Sequence, residues 1–273
     1  MKQCFKLPKK WKDSVVISIA IIATIETFFA VSGISLGSII PNQKWWALLC
    51  VIVGVFVALT VIIRLLISLF FKKGISTEIN GITIRIQQGD LFKASGWKLI
   101  PFTEFFDTTV DDKVIAHSTL NGIMIDKYID NVDEFRNALE ADKNSPLTPA
   151  KSKGRDKYPL GCIKTYGDFM ILAFAHINDQ NMAHISKVDY EKCLMNTWKE
   201  VSRTYANRPI NIPLLGSGIT RFDDVPHKSN FELMKCMLCT LKASGENINQ
   251  PITILLTKDV IQEIDIYEVK GMK

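Results

Sequence analysis

The residues with the strongest claim to chemistry are Leu215, Gly216, Ser217, Gly218, Ile219, Thr220 and Arg221, which close an apolar stretch running from Ile210 to Leu215. At a strand end, two glycines let backbone amides converge on an oxyanion, while Ser217, Thr220 and Arg221 add donors and charge. The run matches neither the P-loop, which needs a Gly-Lys-Ser/Thr ending, nor the full dinucleotide fingerprint, and a plain turn has a similar composition. A second group is Gln88-Gly89-Asp90-Leu91-Phe92, also behind a strand-like stretch. There Asp90 projects from a sheet edge, where a carboxylate can accept from an exocyclic amine; the other reading is a solvated turn or helix-cap aspartate. Cys236 and Cys239 share a helical segment with no second Cys or His pair at metal spacing, so packing is expected and zinc is not. His117, His176, His184 and His227 fit no Ser-His-Asp or Cys-His order. No catalytic residue, metal site or cofactor is expected from these patterns.

The elements that must position these groups alternate along the second part of the chain. Asn80-Gly81 between Ile79 and Ile82 marks a tight type I′ hairpin, and Ile82, Ile84 and Ile86 alternate as on a half-buried strand. Further strands are expected at Trp97 to Pro101 and Val114 to Ala116, followed by a helix from Val132 to Ala141 capped by Asn131 or Asp130. Residues 144–160, with Pro146, Pro149, Gly154 and Pro159, read as an exposed loop. Cys162 to Tyr166 and Phe169 to Ile177 form a hairpin around Gly167-Asp168. Leu194, Trp198, Val201 and Tyr205 then share one helical stripe, and Ser229-x-x-Glu232 is a capping box that opens a helix with Met234, Met237, Leu238 and Leu241 inside. An apolar strand over Ile252 to Leu256 and a closing helix or strand over Val260 to Ile264 complete the pattern. Strands alternating with helices indicate a three-layer α/β domain.

Charge divides the chain at Gly74. The 273 residues carry a net +5 and a mean hydropathy of +0.13, too apolar for a disordered or nucleic-acid-coating protein. Residues 1–74 hold nine basic groups against two acidic ones, about +7, so the remainder carries about −2. A basic nucleic-acid footprint over the globular part is thereby excluded. Between Asp13 and Lys44 the only charge is Glu26, and between Lys44 and Lys72 the only charge is Arg64. Each interval is long enough for a membrane span, so spans are expected at about 14–40 and 45–71. Five lysines before the first span and Lys72-Lys73 after the second put both termini in the cytoplasm, with Trp11 at the inner interface and Trp45 and Trp46 at the outer. Arg64 is expected to snorkel to the inner headgroups. Glu26, mid-span, reads either as a helix-paired carboxyl or as one of a ring lining a polar path through an oligomer. Gly33-x-x-x-Gly37 offers a packing face for the hairpin or for another copy. In a reducing cytoplasm the six cysteines are not expected to form disulfides.

Together, the early strand ending in Gly-Asp-Leu-Phe and the late strand ending in Pro-Leu-Leu-Gly-Ser-Gly-Ile-Thr-Arg-Phe resemble the macro domain family, which binds ADP-ribose and its derivatives. The resemblance implies that Asp90, with Leu91, recognises adenine, and that Leu215 and Gly216 to Phe222 wrap the diphosphate and distal ribose. Phe102 to Thr108 and His117 to Gly122 look like the divergent macro subgroup of bacterial Thoeris anti-phage systems, whose effectors carry two membrane spans before a macro domain. Phe106, Asp107, Ser118, Leu120 and Gly122 are ligand-binding residues on that resemblance. The expected architecture is thus a two-helix transmembrane hairpin in residues 1–74 and, in 75–273, a macro-like α/β domain with a mixed sheet. The implied function is defence: a TIR-domain enzyme consumes NAD, the macro domain senses the ADP-ribose derivative released, in this branch a histidine conjugate, and the chain oligomerises. Membrane disruption and cell death or growth arrest then follow. The expected setting is the bacterial inner membrane, multi-pass, with lipid bilayer, homo-oligomer, signalling nucleotide and TIR enzyme as partners and no nucleic acid. The asparagine-rich and triple-glycine loop of hydrolytic macro domains is replaced here by Phe105-Phe106-Asp107, so a sensor is expected and not an enzyme. The alternative is a membrane-tethered hydrolase with Asp107 or Asp111 as base.

Overall fold

The structure is a computed structural model that describes residues 9–32, 45–70, 74–152, 154–224, 228–264 and 269. It divides into two units, Met1–Lys73 and Gly74–Lys273.

The first unit pairs helices α1 (Lys9–Val31) and α2 (Trp45–Phe70). Their seam is lined by small hydroxyl residues: Ser14 and Ser18 are fully buried, Ser18 Oγ donates to Ser14 O (2.7 Å), and Thr60 Oγ1 donates across to Ser18 Oγ (3.1 Å). Short side chains let two backbones approach while each hydroxyl still finds an acceptor. The Arg64 guanidinium stands 4.3 Å above the Trp11 ring, so its charge is met by an aromatic face on the partner helix. The expectation of a multi-pass membrane protein is corrected: among the described residues no helix is long and apolar enough to cross a membrane. The described side chains of α1 include Lys12, Asp13 and Glu26. Glu26 is exposed on α1. The Gly33-x-x-x-Gly37 pair and the Pro41-to-Lys44 turn lie outside the described residues.

The second unit is built on a mixed sheet in the order β1-β2-β11-β9-β3-β7-β8-β10, with β6 also on β7. The strands are β1 (Gly74–Ile79), β2 (Ile82–Gln88), β3 (Trp97–Thr103), β6 (Ile163–Tyr166), β7 (Phe169–Ile177), β8 (Ala183–Ile185), β9 (Ile210–Pro213), β10 (Arg221–Phe222) and β11 (Ile252–Leu256). The central five, β2, β11, β9, β3 and β7, run parallel, and the flanking β1–β2, β6–β7 and β7–β8 pairs are antiparallel. The expected hairpin forms at Asn80-Gly81, where φ is +51° and +79° as a type I′ turn requires.

Helices cover both faces. On one side α3 (Leu120–Tyr128) and α4 (Val132–Ala141) lay Met124, Ile125, Phe135 and Leu139 against Ile100, Phe102, Ile171 and Ala173. On the other, α5 (Lys187–Thr204) and α6 (Asn230–Ser244) pack together, and Tyr190 of α5 meets Phe174 of β7 edge-on at 6.0 Å between centroids. Leu194, Trp198 and Val201 are buried on the predicted stripe, as are Met234, Met237, Leu238 and Leu241 behind the Ser229–Glu232 capping box. A short helix α7 (Lys258–Glu263) follows β11.

Two expectations change. Residues 144–160 do not run as a bare loop: β4 (Ala150–Ser152) and β5 (Arg155–Lys157) pair as a hairpin. It is tied back to the domain by Lys157 on Glu104 (3.2 Å), by Arg155 on Asp107, and by Arg155 over the Phe105 ring (4.7 Å). Val114 to Ala116 is no strand but part of an irregular loop with one bridge, Val110 to Ile115. Asp111 and Asp112 accept from the amides of Lys113, Val114 and His117 there, and such local bonds compete with a sheet ladder.

Candidate functional site

The carboxyl ends of all five parallel strands open into one cavity of about 650 Å³, where the strand-following loops of β2, β9 and β11 meet residues of β3 and β7. In α/β sheets this is the edge at which loops are free to carry a ligand while the sheet fixes their origins. The lining is mainly apolar, and Asp90 is its one ionisable side chain among the described residues.

Asp90 is set by the end of β2. Gly89 donates its amide to Leu256 O (3.1 Å), and a Cβ at Gly89 would lie 2.7 Å from Leu255 Cδ2, so the strand turns closely against β11. Asp90 then caps the 3-10 turn Leu91–Lys93, its Oδ1 accepting from Phe92 N (3.0 Å). Its side chain is half exposed at the cavity, and Lys93 Nζ is 3.9 Å from the other oxygen. The cap reading therefore holds through Oδ1, and Oδ2 is left on the side of Lys93.

The glycine loop after β9 forms the opposite wall. Buried Tyr190 donates its hydroxyl to Leu215 O (2.9 Å), and Ser217 Oγ donates to Leu214 O (2.7 Å). Gly216 has φ +86°, and a Cβ there would lie 3.2–3.4 Å from Leu233, Phe222 and Tyr190. Conformation and space both demand glycine at that position. Gly218 has open space around it, and Ile219 at the loop tip is 68% exposed. The loop ends in β10, which pairs in parallel with β8; His184 Nδ1 bonds Asp223 (3.0 Å) and Lys187 N donates to Asp224 (3.0 Å).

A third wall comes from Val114 to Ile123. Thr119 caps α3 by accepting from Gly122 N (3.2 Å), and His117 Nδ1 bonds Asp126 of the same helix at 2.6 Å. That hydrogen bond, added to the carboxylate charge, raises the His117 pKa above its usual value. The Asp111 carboxyl is held below its usual value by the Val114 and Lys113 amides that bond it.

Of the residues expected at the site, Asp90, Leu91, Ser118, Leu120, Leu215, Gly216, Ser217, Gly218, Ile219 and Thr220 line this cavity. Arg221 and Phe222 sit beyond the loop, lining a second cavity. Phe106, Asp107 and Gly122 are outside both linings. Phe106 is a core residue with φ +52°, edge-on to Tyr158 at 5.0 Å. Asp107 accepts from Thr103 Oγ1 (2.8 Å) and pairs with Arg155, so it stands behind a lining residue. Gly122 is a packing glycine: a Cβ would come 2.2 Å from Ala116 O, drawing α3 tight against the loop that carries Ser118. Glu26 belongs to the first unit. The lining also includes Phe102, Thr103, Phe174, Ala175, Leu255 and Leu256, which sequence reasoning missed. The available signal was that parallel strands present their last residues to a common edge.

Residues 84–257 match the family described as Thoeris protein ThsA, Macro domain. The Thoeris protein ThsA of Bacillus amyloliquefaciens (strain Y2) is 31% identical, over 96% of this chain and 88% of that one. Among solved structures, a mutant Oceanobacillus iheyensis macrodomain with ADPR is similar at 15% identity, over 72% of this chain and 96% of that chain, with a TM-score of 0.46. The same macrodomain with ADP gives 14% identity over 73% and 98%, with a TM-score of 0.40.

Proposed function

From the premise that this chain belongs to the Thoeris ThsA macro domain family, we propose that its cavity is a receptor site for an ADP-ribose derivative released by a TIR-domain NAD-consuming enzyme. A histidine conjugate of ADP-ribose is the ligand we favour. The observation that carries this reading is the cavity at the ends of the five parallel strands, with a lone carboxylate on one wall and a glycine loop on the other. Adenine would lie against Leu91 and Phe92, with its exocyclic amine toward Asp90; the diphosphate would lie along Gly216 to Thr220, where backbone amides supply the donors. Binding without turnover is supported by the lining itself. The two carboxylates that could act as hydrolytic bases are occupied elsewhere: Asp107 with Thr103 and Arg155, Asp111 with the amides of Lys113 and Val114. A general base must reach the proton it abstracts, directly or through one water. The downstream response in this reading is self-association of the chain, which requires that the ligand bind the associated form more tightly than the free one, and it ends in death or growth arrest of the infected cell.

The test is to titrate the full chain with ADP-ribose and its histidine conjugate by calorimetry, follow its mass in solution, and recover the nucleotide afterwards. Tight binding, intact ligand and an increase in mass are expected. Free ADP-ribose accumulating from the conjugate would replace the receptor with a hydrolase, and absence of binding would remove the nucleotide altogether.

A further inference from the structure

Both ends of the glycine loop are fastened to the first turn of α5. At the near end Tyr190 donates its hydroxyl to Leu215 O (2.9 Å). At the far end the same ring meets Phe222 edge-on, 5.4 Å between centroids, and the Lys187 amide donates to both Asp224 oxygens (3.0 and 3.1 Å). The strands behind the two ends are unequal. The near end leaves β9, which lies inside the sheet between β11 and β3, whereas the far end enters β10, a strand of two residues at the sheet edge. Its pairing consists of Arg221 beside His184 and Phe222 beside Ile185, extended by Asp223 N donating to Ile185 O (3.1 Å). So short an edge pairing holds a loop weakly by itself. The contact that supplements it is His184, whose Nδ1 lies 3.0 and 3.1 Å from the two oxygens of Asp223. A carboxylate only accepts, so Nδ1 is the donor, on a ring type that gains and loses charge between about pH 5 and 8.

We propose that His184 and Asp223 are positioning residues: they latch the far end of the glycine loop, more tightly when the imidazole is charged, so that nucleotide affinity falls as pH rises through the histidine range. The inference rests on the receptor reading above, in which the loop amides meet the diphosphate, because a loop held at both ends has less freedom left to lose on binding. Protonation turns a neutral donor into a charge-assisted one, which strengthens its bond to the anion. The other charged groups on the surrounding elements have partners of their own. His176, with its ring centre 5.8 Å from that of His184, has Glu104 on Nδ1 and Asp189 4.0 Å from Nε2, and Lys157 also meets Glu104 (3.2 Å). Asp224 accepts from Lys187 N, Arg221 lies beside His184 in the strand register, and Asp179 stands in the turn between β7 and β8. The latch side chains are 30% and 47% exposed, so the gain is that of a solvated ion pair, about threefold in affinity.

The test titrates the full chain with ADP-ribose by calorimetry at about pH 5.5 and about pH 8, values between which a histidine loses its charge and the nucleotide does not. Hydrogen exchange of residues 216–224 is followed without nucleotide at both values and corrected for its intrinsic pH dependence. The ratio of affinities, low pH over high, should be about threefold larger in the wild type than in His184→Asn, which keeps an amide donor but cannot titrate. Asp223→Asn should reduce the ratio equally, and the double variant should reduce it no further, since both changes remove one interaction. Loop protection should fall with rising pH more steeply in the wild type than in either variant. The wild-type ratio persisting in His184→Asn, or additive reductions in the double variant, would overturn the latch. Loop protection that follows His184 while affinity does not overturns its role in the site and leaves the receptor reading standing. A wild type that binds no ADP-ribose at either pH overturns the receptor reading, and the positioning role with it.

Discussion

Asp90 shows how one side chain can serve the fold and the site together. Its Oδ1 caps the turn after β2 while the half-exposed carboxylate faces the cavity, so truncation to alanine would mix two losses. Asp90→Asn separates them, because an amide oxygen still caps Phe92 N but the anion is gone. Affinity for ADP-ribose should fall by about 1–3 kcal/mol, the scale for a polar ligand group deprived of its partner, while the melting temperature changes little. Unchanged calorimetric affinity would falsify the adenine assignment. The Gly-Asp-Leu-Phe string made Asp90 legible in the sequence. Asp107 was not legible in the same way: it lies near the cavity in sequence and in space, yet its oxygens point to Thr103 and Arg155. Nothing in the local pattern announces an ion pair to a hairpin almost fifty residues away.

Among elements, the glycine loop and the Val114-to-Ile123 wall make opposite demands. Gly216 is held at φ +86° with side chains on three sides, so Gly216→Ala should cost on the order of 1–3 kcal/mol through backbone strain and crowding. The loss should appear both as a lower melting temperature and as weaker nucleotide binding; full stability in the variant would mean that the loop takes up another conformation at no cost. The opposite wall is held to α3 by the contact of His117 with Asp126. A histidine whose folded pKa is raised contributes stability that is present below its unfolded value of about 6.5 and is lost as pH rises through the folded value. Hydrogen exchange of residues 111–119, corrected for its intrinsic pH dependence, should therefore show less protection as pH rises beyond that point. His117→Gln should flatten the profile, and an identical pH profile in the variant would rule out the contact as the cause. The glycine loop could be anticipated from its two glycines behind a strand, and the capped helices from Asn131 and Ser229. The irregular wall could not, because aspartates bonding local amides replaced a strand that the apolar residues alone suggested.

For the whole molecule, the division at Gly74 predicts independence. The second unit contains its own core, with Ile84, Ile100, Ile171, Trp198 and Ile254 all essentially inaccessible, and every residue lining the cavity at the strand ends. A chain limited to residues 74–273 should fold and bind ADP-ribose within about twofold of the full chain, as measured by calorimetry and thermal melting. A loss greater than tenfold would show that residues 1–73 shape the site. By itself the sequence determined the class of fold, the order of its main strands and helices, the boundary near Gly74 and two of the three cavity walls. These follow from periodicity, capping residues and glycine placement, which act within a few residues along the chain. Only the tertiary structure decided that five parallel strands end at one cavity, that Asp107 turns away from it, and that Lys228 stands without an acceptor between two rings behind the glycine loop. Each of those facts depends on groups distant in sequence meeting in space, and local propensity carries no record of such meetings.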